Sequence, residues 1–74
     1  MTKTEAAEIV GIHVRVSCRA NNKPVTKQVI EEIISEWANH HANTLLGQAA
    51  AIANWRTVLA WCRREARWMG EPQI

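Results

Sequence analysis

The sequence predicts an all-α fold, a small bundle of three to four helices forming one domain over residues 1–74. Three observations predict it. Apolar residues recur at helical spacing in the middle and last thirds of the chain. The segments that carry them are bounded by Thr, Asn, Pro and Gly residues of the kind that start and stop helices. Residues 11–19, GIHVRVSCR, alternate like a strand but have no second alternating segment to pair with, and a lone strand would leave its backbone N–H and C=O groups without partners. A strand there could pair only with another molecule, so the alternative fold is a ribbon-helix-helix dimer.

The first element is the least decided. Thr2 and Glu5 stand in capping-box relation ahead of TEAAEIV, and Ile9, Ile12, Val16 and Ala20 follow at i, i+3, i+7 and i+11, which makes them the expected core face of a helix. Local preference opposes it. The stretch is crowded with β-branched residues and contains Gly11, each costing from a few tenths to about 1 kcal/mol in a helix interior relative to Ala. On the ribbon reading His13, Arg15, Ser17 and Arg19 share the outward face of the strand and read bases in the major groove.

The later elements are clearer. Asn21, Asn22 and Pro24 supply a turn, and Thr26 is placed to cap a second helix, with Val25 before it and Ile30 at the fourth helical position forming a hydrophobic staple. Ile30, Ile33, Ile34, Trp37 and His41 then recur at i, i+3, i+4, i+7 and i+11. After HHAN, Asn43 or Thr44 can cap a third segment that runs from Leu45 to Met69 as one long helix, or as two with a bend near Asn54. Ala49, Ala50, Ala51 and Ala53 allow another backbone to come close, and Trp55, Leu59, Cys62, Ala66 and Met69 form an apolar stripe. Gly70 and Pro72 close the helix.

Composition narrows the class. Apolar residues make up 47% of the chain, yet it has no Phe or Tyr, so a core must come from aliphatic residues and four Trp. A chain of 74 residues buries a modest share of its surface, which favours stabilisation by a partner or by a homodimer. Cys18 and Cys62 lie far apart and belong to no paired spacing, as expected of reduced thiols, and no apolar run approaches the roughly 18 residues of a membrane span. The expected location is cytoplasmic. A net charge of +2 conceals segregation: Glu31, Glu32 and Glu36 make the middle acidic, whereas Arg56, Arg63, Arg64 and Arg67 make the end basic.

No catalytic constellation can be assembled. His13, His40 and His41 with the two cysteines are metal-capable, but adjacent His40 and His41 project about 100° apart on a helix and lack an i+4 partner, so no metal and no cofactor is expected. The chain reads as a non-enzyme. Its best binding signal is the last helix, where Arg56, Arg63 and Arg67 make a basic stripe and Trp61, Arg64 and Trp68 stand at i, i+3 and i+7, so that both indoles can flank one guanidinium. Trp and Arg of this kind anchor protein interfaces and also stack on single-stranded nucleic acid.

The segments TKTEAAEIVGI, ANNKPVTKQVIEEIISEW, LLGQAAAIANW and RWMGEPQI together resemble the helicase-loader/inhibitor family of bacterial viruses. The resemblance implies a leading helix, a Pro-containing break, a second helix carrying Trp37, an Ala-rich third helix and a tail ending in Pro72 and Ile74. It also implies a replication protein as partner. NWRTVLAWCRREARW is similar to the Trp-rich, Arg-ended tail of phage replication initiators. EAAEIVGIHVRVSCR is similar to helix-turn-helix spacing at Ala7 and Gly11, with Val16 one place ahead of the expected aliphatic position. The expected function is therefore a small phage- or prophage-type accessory protein that binds a replication or other host protein through Arg56, Trp61, Arg63, Arg64, Arg67 and Trp68. Two alternatives stand beside it: a DNA-binding repressor of ribbon-helix-helix or helix-turn-helix type, and a counter-defence inhibitor such as an anti-CRISPR protein.

Overall fold

The computed structural model describes the backbone of residues 1–68 and the side chains of residues 1–65. Among the described residues there are four α-helices and no strand: α1 (Lys3–Ala20), α2 (Lys27–His40), α3 (Leu45–Ile52) and α4 (Trp55–Trp68). Met69 and the tail with Pro72 and Ile74 lie outside the described residues.

Local chemistry sets each boundary. Thr2 caps α1 in a full capping box, its hydroxyl accepting from the Glu5 N–H at 3.1 Å while the Glu5 carboxylate accepts from the Thr2 N–H at 3.3 Å. The helix ends in a Schellman arrangement, with Asn22 at a left-handed φ of 54°, its N–H donating to the Arg19 carbonyl and the Lys23 N–H to that of Cys18. Thr26 caps α2 by accepting from the Val29 N–H, and Val25 and Ile30 are both buried, as the staple requires. Thr44, rather than Asn43, caps α3, accepting from the Gly47 N–H at 3.0 Å and donating to the His41 carbonyl at 2.7 Å. The long third segment divides in two: Ala53 is extended, and the Asn54 side chain accepts from the Arg56 N–H at 2.7 Å to start α4.

α1 and α2 sit diagonally across the bundle, each packed on both α3 and α4. The core is made of small residues. Ile30, Val10, Val14, Val58 and Cys62 are its largest fully buried side chains, joined by Ala6, Ala49 and Ala50. No Trp is fully buried among the described side chains; Trp37, Trp55 and Trp61 lean on the core from its edges.

Three expectations are corrected here. Residues 11–19 are helical, so His13, Arg15, Ser17 and Arg19 are not the outward face of a strand, and the ribbon-helix-helix alternative fails. The α1 core face is also not the expected one. Ala7, Val10, Gly11, Val14 and Cys18 point inward; of the expected stripe Ile9 packs against the edge of the core, whereas Ile12 is 45% and Val16 63% exposed and Ala20 is exposed. The reason lies at Gly11, where a Cβ atom would collide with the Trp61 indole of α4. The small-residue face admits a closely crossing helix, and the bulkier face is left outside. In α2 the stripe holds through Trp37, but His41 follows the helix as its C-cap and is exposed.

Candidate functional site

α4 presents two different faces. At 100° per residue, Val58, Cys62, Trp55 and Leu59 fall on the core side, while Arg56, Ala60, Arg63 and Arg64 fall on the opposite side, all four exposed. The result is a basic outer face with a small, flat residue at its centre. Arg67 belongs to the same stripe by its spacing, but its side chain, like that of Trp68, lies outside the described side chains.

Trp61 does not project from that basic face. Its ring is half-buried in the notch opened by Gly11, so it joins α4 to α1. Beside it, the Cys62 thiol donates to the Gly11 carbonyl at 3.7 Å, a second link at the same crossing. Trp55 meets two cations, with Lys27 Nζ 4.9 Å and Arg56 Cζ 5.4 Å from its ring centroid. Sequence reasoning missed this because Lys27 comes from α2. Contacts of this kind hold the Arg56 guanidinium beside the Trp55 ring.

A groove of about 650 Å³ runs between α1 and α4 on the far side of Trp61, lined by Glu8, Ile12, Arg15, Val16, Trp61 and Glu65, with Arg19 and Ala20 at its end. The residues considered for base reading are thus divided. Arg15 and Arg19, four apart on α1, border the groove, whereas His13 packs edge-on against Trp37 with ring centroids 5.6 Å apart. His13 and Ser17 share a different face of the helix from the two arginines.

The two cysteines are packing groups. Burial pushes the Cys62 thiol up to about 11 and also raises that of Cys18, which donates to the Pro24 carbonyl at 3.8 Å. Both shifts run away from the reactive thiolate form. Among the described residues no three His, Cys, Asp or Glu side chains gather as a metal-binding group, and no helix is long and apolar enough to cross a membrane.

The described residues form a small all-α bundle of four helices. Comparison with protein-family models, curated proteins and solved structures finds no match to this chain.

Proposed function

We propose that this chain is a small non-enzymatic accessory protein that works inside the cell by binding another protein through the basic outer face of α4. The observation that carries the reading is the cluster of exposed Arg56, Arg63 and Arg64 around Ala60, held on a helix whose other side is fixed by the core. Arginine loses little freedom per hydrogen bond formed and engages carboxylates in bidentate fashion, and a flat Ala at the centre lets a partner surface come close. An acidic protein patch fits this face.

Nucleic acid fits it less well. The whole chain carries only +2, because exposed Glu31, Glu32 and Glu36 on α2 offset the α4 arginines, and a phosphate backbone selects for a larger net positive charge. The resemblance to helicase loaders and inhibitors of bacterial viruses supplies a partner class, a replication protein of phage or host. Two buried reduced thiols are in keeping with an intracellular site of action.

The test is capture from host lysate by the immobilised full chain, compared with an Arg56→Glu, Arg63→Glu, Arg64→Glu triple variant of unchanged helicity. The triple variant should lose the captured protein, since arginines at the centre of an interface commonly contribute about 2 kcal/mol or more each. Equal capture by both chains would refute the assignment. Tight binding to duplex DNA that weakens steeply with salt would move the face to nucleic acid.

A further inference from the structure

The outward face of α1 is amphipathic in an unusual order. Glu8, Ile12, Val16, Arg15 and Arg19 fall within an arc of about 100° around the helix axis. Along that arc a carboxylate stands at the N-terminal end, an apolar pair in the middle with Arg15 at its side, and a guanidinium at the C-terminal end. Ile12 and Val16 are the exposed apolar residues at its centre, and the groove beside Trp61 and Glu65 adjoins them.

We propose that this face is a homodimer interface, in which α1 packs antiparallel on α1 of a second copy about a two-fold axis. Pairing centred between residues 13 and 14 sets Glu8 of each chain against Arg19 of the other, once at each end, and brings Ile12 of each chain within one residue step of Val16 of the other between the two charge pairs. Parallel pairing would instead set Glu8 on Glu8 and Arg19 on Arg19. An unrelated partner must supply the same order in reverse, whereas a second copy has it by symmetry, as an isologous interface requires. Contacts that Arg15 and Arg19 make within their own chain are compatible with this, because each guanidinium carries five N–H donors. α1 has 18 residues, hence a length of about 27 Å, and an interface built on one such helix falls near the low end of specific ones, about 1,200 Å² in total. Interfaces of this size are often weak and transient, so association is sought across the micromolar range. The α4 arginine face lies outside this contact, so dimerisation and partner binding stand or fall separately.

Sedimentation velocity of the full chain from about 1 to about 200 µM tests it, a range chosen to span the affinity expected of so small an interface. The wild type should pass from monomer mass to twice that mass, and Val16→Glu should remain monomeric throughout with an unchanged helical circular dichroism spectrum. Glu8→Arg and Arg19→Glu should each weaken self-association at least about tenfold, because each sets like charges opposite one another at both ends. An equimolar mixture of these two variants should recover the dimer, since every end then pairs opposite charges. A wild type that stays monomeric, a Val16→Glu variant that dimerises as the wild type does, or a mixture that fails to recover would each overturn the proposal. Should Val16→Glu unfold, the charge-swap mixture decides the question alone.

Discussion

Gly11→Ala probes the contact that orients the whole bundle. In an ordinary helix interior this change stabilises by about 1 kcal/mol, because Gly carries the larger backbone entropy in the unfolded chain. Here the new methyl would fall on the Trp61 ring, colliding with Cε3 and lying 2.9 Å from Cζ3 and 3.1 Å from Cδ2. Overpacking of this kind costs about 1–3 kcal/mol. Taking the middle of that range and subtracting the helical gain leaves a net loss of about 1 kcal/mol, which in so small a domain lowers Tm by about 4–8 °C. Thermal and urea unfolding followed by circular dichroism measure it. The decisive comparison is the same substitution in a Trp61→Leu background, where the collision is gone and Gly11→Ala should stabilise by up to about 1 kcal/mol. If Gly11→Ala stabilises both backgrounds equally, Trp61 is not seated on α1 and the account of which α1 face is buried fails.

Other perturbations have equally definite outcomes. Gly47→Ala should cost more than Gly11→Ala, about 2 kcal/mol or more in urea unfolding, because its methyl would meet the His41 and Ala42 backbone, which yields less readily than a side chain. Thr44→Ala should lower stability by about 1 kcal/mol through loss of the α3 cap, seen as a lower urea midpoint at unchanged m. Cys62 has a pH signature. Its thiol is raised from 9.0 to about 11 by burial, so the folded state retains a proton that the unfolded chain releases; its contribution is complete below pH 9 and is lost as pH rises to about 11. The wild type should therefore lose about 2 kcal/mol across that window, and Cys62→Ala should show a correspondingly smaller pH-dependent loss. A thiol reagent at neutral pH should modify native Cys62 far more slowly than the urea-unfolded chain.

Helix starts were legible in the sequence because caps are local. Thr2 with Glu5, Thr26 with Val25 and Ile30, and the bend at Asn54 each depend on residues within a few positions, and each is found as read. The buried face of α1 was not legible, because two stripes compete there. Ile9, Ile12, Val16 and Ala20 are bulkier, but Ala7, Gly11, Val14 and Cys18 hold an equally regular i, i+4, i+7, i+11 spacing, and that small-residue stripe was the available signal. Choosing between them requires knowing that Trp61 seats on α1, a contact between residues 50 positions apart. The same distance problem hid the site. Spacing placed Arg56 and Arg63 on one face of α4 and Trp61 with Arg64 on a neighbouring one, but it could not show that Trp61 turns to α1, nor that Lys27 joins Arg56 at Trp55.

If the outer face of α4 is the binding surface, amide chemical-shift mapping will locate the contact there. The ¹⁵N-labelled chain would be titrated with the protein it captures from lysate. Perturbations should concentrate at Arg56, Ala60, Arg63 and Arg64, with the acidic α2 residues Glu31, Glu32 and Glu36 unmoved. Perturbations centred on α2, with α4 unchanged, would contradict it.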